Sequence, residues 1–213
     1  MIHLGGAAGY PLNIGEVQIV RKAVLAAGVA VGLLFFAVTN SYSPSGSNAH
    51  ELIEWVGIVL IVICIIGRTW TSLYISGRKI TQLVDVGPYS VTRNPLYAFS
   101  ILGAVGFGAQ QGSILTALTF GVLAWLAFNV VASREERLLA ELHGAGYDDY
   151  QARVPRFFPN PRLWRDVPTL TVMPSRVAAT AADAMIFLLA VPVAETFEWL
   201  QQIGVLPVLL VLP

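Results

Sequence analysis

Gly87-Pro88-Tyr89-Ser90-Val91-Thr92-Arg93-Asn94-Pro95-Leu96-Tyr97 is a short polar stretch caught between long apolar runs. Gly87-Pro88 reads as a tight turn, because proline fixes φ and glycine relaxes it. Asn94-Pro95 reads as a helix start. Asparagine is a good N-cap, and proline at the first helical position loses no needed hydrogen bond. Two tyrosines, an arginine and an amide lie between these two devices, a dense set of rings and hydrogen-bonding groups to place beside greasy helices.

The chain has 213 residues, 55% of them hydrophobic and 12% charged, about half the charged fraction of an ordinary soluble domain. Several runs reach the roughly 20 residues a helix needs to cross a bilayer. We therefore expect an all-α, polytopic bundle of about five membrane helices in contact with lipid. The formal net charge is zero, so nothing in composition argues for nucleic acid. The single cysteine, Cys64, reads as a small buried hydrophobe. No removable signal peptide is expected in the first fifteen residues, which lack a basic start.

Outward from the opening stretch, the spans are expected at residues 17–38, 52–75, 95–111 and 113–132, with a fifth at 173–193. Gly28 and Gly32 form a small-xxx-small pair that suits close helix approach. Arg68, one to two turns inside the second span, is expected to snorkel to its boundary. The tight connection Gln110-Gln111-Gly112 makes the third and fourth spans a hairpin. The fourth helix should continue to about His143 and end at Gly144 and Gly146. A short helix from Tyr147 to Arg153 should follow, then an extended path through Pro155, Pro159 and Pro161. Segment 133–166 packs six arginines and six acids together. The path of 194–213 is left open. Three units result: helices 1–80, a core 81–165 and an apolar tail 166–213.

Basic residues cluster near the first span's start, after the second and after the fourth, while 39–50 and 110–112 have none. The positive-inside rule then places 77–94 and 133–166 together on the cytoplasmic face, in an inner or plasma membrane. His3, His50 and His143 are scattered, so no metal site is expected. The first segment offers Tyr89, Arg93, Asn94 and Tyr97. The second offers Glu135, Glu136, Tyr147, Tyr150, Arg153 and Arg156. Rings, acids and arginines at one face suit a zwitterionic, positively charged ligand.

The run Leu83-Val84-Asp85-Val86-Gly87-Pro88-Tyr89, then Arg93-Asn94-Pro95-Leu96-Tyr97, resembles one block of the isoprenylcysteine carboxyl methyltransferase and phospholipid methyltransferase family. Glu135-Glu136-x-x-Leu139, then Gly144-x-x-Tyr147-x-x-Tyr150-x-x-Arg153-Val154-Pro155-Arg156-Phe157, resembles a second block of that family. The resemblance implies a membrane-embedded methyltransferase using S-adenosylmethionine on a hydrophobic or lipid-like acceptor, such as the carboxylate of an isoprenylcysteine-like group. It implies a cofactor pocket lined by Thr81, Gln82, Leu83, Val84, Tyr89, Asn94, Pro95, Leu96, Tyr97 and Glu135. Arg93, Asn94, Glu136 and Arg156 would serve the chemistry. Asn94 stands where the family has histidine. Val131 stands where its protein-methylating members have an arginine for the acceptor carboxylate. These two departures motivate an alternative, a non-catalytic membrane subunit that keeps the fold.

Overall fold

The structure, a computed structural model, describes residues 14–43, 46–76 and 82–213. The lead-in 1–13, Arg78, Lys79 and Thr81 lie outside the described residues, as do the side chains of Arg21 and Lys22. The chain is an all-α membrane bundle: α1 (Ile14–Val38), α2 (Asn48–Ile75), α3 (Pro88–Val91), α4 (Pro95–Ala109), α5 (Ile114–His143), α6 (Ala145–Arg153), α7 (Pro174–Met185) and α8 (Ala190–Gln202). Among the described residues, three stretches are long and apolar enough to cross a membrane: Asn48–Ile75, Ile114–His143 and Pro174–Gln202. Only 17% to 28% of their most apolar windows is buried by protein. The remaining apolar side chains, such as Val59, Ile66, Leu118, Val122 and Ile186, face outward, and lipid is the solvent that covers them.

Close backbone approach sets the helix packing. A Cβ on Gly106 of α4 would stand 2.6 Å from the Gly57 carbonyl of α2, and one on Gly57 would stand 2.8 Å from the Gly106 carbonyl. Gly103 lies against the buried Cys64 in the same seam. Small residues let membrane helices meet at van der Waals distance where no hydrophobic effect draws them together. The expected Gly28–Gly32 pair does not play this part. Gly32 meets the Phe120 ring, and nothing lies within 4 Å of a Cβ built on Gly28.

The α4–α5 hairpin forms as expected, with Gly112 at φ +65° against the His50 ring. Ser113 caps α5 by accepting from the Thr116 N–H. α5 runs on to His143 and stops at Gly144, where φ is +51°, and α6 follows. The tail departs from expectation. Its helix does not end near Val193: α7, a short 3-10 turn (Ile186–Leu189) and α8 continue to Gln202 and absorb Glu195 and Glu198. The last residues then return as β2 (Leu210–Leu212), pairing in parallel with β1 (Thr39–Ser41). Gln111, Gln201 and Ser113 tie this end together through bonds to the Thr39 and Pro213 carbonyls.

Candidate functional site

The two polar segments meet at the opposite end of the bundle. The chain from 91 to 94 runs beside 155–160, sharing bonds from Arg93 N–H to Pro155 O (2.8 Å), Asn94 N–H to Arg156 O (3.2 Å) and Asn160 N–H to Val91 O (2.9 Å). Gly87 N–H donates to Arg165 O at 2.6 Å, and the Tyr150 hydroxyl donates to Tyr89 O at 2.8 Å. Gly87 takes φ +58° with the Tyr74 ring 2.1 Å from where a Cβ would stand, so only glycine fits the turn. These bonds satisfy the backbone of both segments against each other, which two loops at a membrane surface need.

Glu136, on α5, is the buried centre of this junction. Its Oε1 accepts from Asn94 Nδ2 at 2.8 Å and lies 3.4 Å from Arg93 Nε. Its Oε2 accepts from Arg156 at 2.7 Å (Nη2) and 3.1 Å (Nε). Arg156 also donates to Ser133 Oγ at 3.0 Å and Asn129 Oδ1 at 3.3 Å. The hydrogen bond to Glu136 holds the Arg156 guanidinium above its ordinary pKa. One carboxylate thus joins α5 to both polar segments.

Asn94 occupies the N-cap position of α4, but its side chain caps nothing. Its carbonyl accepts from the Tyr97 and Ala98 N–H groups, while its amide turns to Glu136 and to Arg156 O. The capping expectation is corrected here. A charge-assisted bond to a buried carboxylate is roughly twice as strong as the neutral cap bond, so it takes the amide.

Beside the junction lies a cavity of about 610 Å³. Gln82, Leu83, Val84, Tyr89, Arg93, Asn94, Pro95, Leu96, Tyr97, Glu135 and Glu136 line it. Thr81 falls outside the described residues, and Arg156 does not reach the cavity. The cavity also takes in Leu139, Tyr147 and Tyr150. Burial, and then Tyr150 and Glu135, pushes the Tyr89 phenol well above its ordinary range. Burial raises Tyr147 and Tyr150 too, with Glu136 and Tyr147 the next causes respectively. All three rings are therefore neutral at physiological pH. The buried Tyr89 hydroxyl has no hydrogen-bond partner among the described residues. Tyr97 stacks on Phe128 at 4.9 Å within an apolar cluster that includes Val131 and Phe157.

Sequence reasoning missed the remaining wall. Arg68 does not snorkel. It turns into the cavity and donates to Ser100 Oγ. Arg176, Thr180 and Asp183 of α7 line the cavity as well. The available signal was their spacing, which puts all three on one face of an apolar helix. Among the described residues, no group of three or more His, Cys, Asp or Glu is arranged to hold a metal ion.

The phospholipid methyltransferase family matches residues 52–146. The nickel-cobalt-cadmium resistance protein NccN of Alcaligenes xylosoxydans xylosoxydans is 37% identical over 87% of this chain and 87% of its own length. The cobalt-zinc-cadmium resistance protein CzcN of Cupriavidus metallidurans is 35% identical, covering 76% and 74%. Protein-S-isoprenylcysteine O-methyltransferase B of Arabidopsis thaliana is 27% identical over 54% of this chain and 63% of that protein. No solved structure matches. The motif pair, the membrane bundle and these relatives agree, and the chain belongs to the isoprenylcysteine carboxyl methyltransferase and phospholipid methyltransferase family of integral membrane methyltransferases.

Proposed function

We propose that this chain transfers a methyl group from S-adenosylmethionine to a hydrophobic or lipid-like acceptor, at a site that opens to the cytoplasm from an inner or plasma membrane. The observation that carries this is the cavity. Both polar blocks line it, and it holds a buried Tyr89 hydroxyl that no described residue satisfies.

The residues present fit the cofactor. When bound, it supplies an electrophilic methyl group on a positively charged sulfur. Tyr89, Tyr147 and Tyr150 offer neutral, electron-rich faces of the kind that attract cations. Glu135 is an acceptor for an ammonium or ribose hydroxyls. Arg93 lines the cavity and is the donor that the first polar block offers to a carboxylate there. Glu136 serves as a positioning residue, since Asn94, Arg93 and Arg156 already occupy it. Arg156 acts through Glu136, because it does not touch the cavity.

The acceptor sets the remaining chemistry. A carboxylate oxygen takes the methyl group with no proton to lose, the sulfur keeping the electron pair of the broken bond. An isoprenylcysteine-type carboxylate would need only in-line placement. An amine or thiol would first need a base.

Equilibrium binding of radiolabelled S-adenosylmethionine to the purified, folded chain is the direct test. Saturable binding is expected, and its absence would refute the reading. Labelled cofactor incubated with a membrane lipid extract then identifies the acceptor by its labelled product.

A second reading has its own observation. Val131 is buried in an apolar cluster, so no cation meets the acceptor from that position, and the two relatives matching over most of the chain are named for metal resistance. A non-catalytic membrane subunit serving such resistance would co-purify with partners and bind no cofactor.

A further inference from the structure

The cavity has a second wall, which neither polar block builds. On α2 and its C-terminal cap, Arg68, Ser72 and Ser76 line it at i, i+4 and i+8; on α7, Arg176, Thr180 and Asp183 line it at i, i+4 and i+7. Each set forms one stripe along its helix. The helices are pinned level with each other at the outer end of the cavity. Ser76 Oγ donates to Met173 O at 3.0 Å, and Met173 N–H donates to Ser76 Oγ at 3.1 Å. From that level, at 1.5 Å per residue, Thr180 lies about 10 Å in, Arg68 about 12 Å and Asp183 about 15 Å. A hydrocarbon core is roughly 30 Å thick. Charges carried that far along apolar spans are expensive unless they face a cavity or a ligand, and they mark substrate sites by default.

The sign of this wall is positive, two guanidiniums against one carboxylate. Arg68 is steadied by Ser100, whose hydroxyl in turn donates to Leu96 O at 2.8 Å. Arg176 is exposed and makes no ion pair among the described residues. Val131 has no part in this wall, being sealed among Tyr97, Phe128 and Phe157. Outside the cavity, α2 and α7 present apolar side chains such as Ile66 and Met185 to lipid.

We infer that Arg68, helped by Arg176, binds the acidic headgroup of a singly charged anionic amphiphile, whose apolar chain lies in the bilayer against α2 and α7. A carboxylate and a phosphodiester share this chemistry. Arginine recognises both, and its fork suits either pair of oxygens. Asp183, about 3 Å deeper than Arg68 by the same helical rise, restrains the excess positive charge and so disfavours dianions. The inference rests on the methyltransferase reading only in taking this amphiphile for the acceptor.

The test is binding to the purified full chain in neutral detergent, by calorimetry, with oleate and lysophosphatidylglycerol as probes. Methyl oleate and monooleoylglycerol are their uncharged counterparts. Wild type is expected to bind at least one anion about tenfold or more tightly than its neutral counterpart. R68Q should cut that preference below about threefold while leaving S-adenosylmethionine affinity within twofold. R176Q should reduce the preference partly; its side chain is exposed, so it carries the test if R68Q fails to fold. The inference is overturned if wild type shows no anion preference, or if both variants keep it. It is also overturned if R68Q loses cofactor affinity with its anion preference intact. Wild type that prefers the anion but binds no cofactor would sink the methyltransferase reading and leave the anion site standing.

Discussion

Removing the Glu136 carboxylate should open the site without unfolding the bundle. Glu136 is 7% exposed at its side chain and Arg93 10%, whereas Arg156 is 31% exposed. Deleting one partner of a buried ion pair costs about 3–5 kcal/mol, because the other charge stays behind unpaired. Water reaching Arg156 returns part of that, which leaves about 2–3 kcal/mol for Glu136→Ala. At 1.4 kcal/mol per decade, cofactor affinity should fall about 30- to 150-fold. The α2–α4 seam does not involve Glu136, so the helices should stay packed. Hydrogen exchange should accelerate across residues 91–94 and 145–160 and remain slow in α2 and α4. Glu136→Gln keeps the shape and loses the charge, and should fall between wild type and alanine. A double-mutant cycle with Arg156→Met separates support from direct contact. If Arg156 acts only through Glu136, adding Arg156→Met to Glu136→Ala should change little. Cofactor affinity within twofold of wild type, with unchanged exchange at 91–94, would refute this account of the junction.

Other substitutions test separate parts of the argument. Asn94→Ser keeps a good capping group but its shorter hydroxyl falls short of Glu136, and Asn94→Asp keeps one but turns the donor into an acceptor; each should lower stability by about 1–2 kcal/mol, whereas a capping role would leave thermal midpoints unchanged. Tyr89→Phe removes a buried hydroxyl without a described partner, so the ligand-free protein should be as stable or more stable while cofactor affinity drops. Gly106→Ala should cost about 1–3 kcal/mol by overpacking the α2–α4 seam; Gly28→Ala, with nothing near its Cβ, should leave the melting midpoint in detergent alone. Tyr150→Phe strips the hydrogen bond to Tyr89 O and should cost about 1–2 kcal/mol near neutral pH. Because the folded Tyr150 pKa is raised by burial, wild-type stability is whole below the unfolded value near 10 and declines as pH climbs above it. Denaturant titrations should therefore show the gap between wild type and Tyr150→Phe narrowing above about pH 10.

The helices were legible because hydropathy is a local sum. Long apolar runs marked α2 and α5, and the glycine at 144 marked the stop; Pro155 and Pro159 marked the extended path after α6, whereas Pro161, expected to continue it, opens a 3-10 turn (Pro161–Leu163) because its fixed φ also suits a first helical position. The nearness of the two polar blocks was legible through charge topology, since basic residues select one face of a membrane whatever their separation in the chain. The tail was not legible, for a related reason. Glu195 and Glu198 look like the end of a span. Their helix nevertheless continues to Gln202, where the Gln201 amide donates to carbonyls at Phe36, Ala37 and Thr39. Only the fold brings those acceptors near. The charged stripe of α7 escaped notice likewise, because Arg176 and Asp183 reveal a cavity only once α2 presents Arg68 to the same space.

Asn94 shows where a correct local reading still misassigns a side chain. Asn-Pro before an apolar run does mark the start of α4, and the backbone there behaves as a helix start should. The rule assumes, however, that the side chain has no better partner than the first N–H groups of its own helix. Glu136 lies 42 residues away in sequence and brings a full negative charge, buried where screening by water is weak. Competition between a neutral cap and that charge is decided by electrostatics, which propensity does not contain. The same competition explains how asparagine can stand where the family carries histidine. The junction needs an N–H donor at this position, and an amide supplies one at every pH. What asparagine cannot do is exchange a proton, so any proton a nucleophile must lose has to leave by another route. An acceptor that is already anionic meets this limit without further machinery, which is the headgroup that Arg68 and Arg176 are placed to receive.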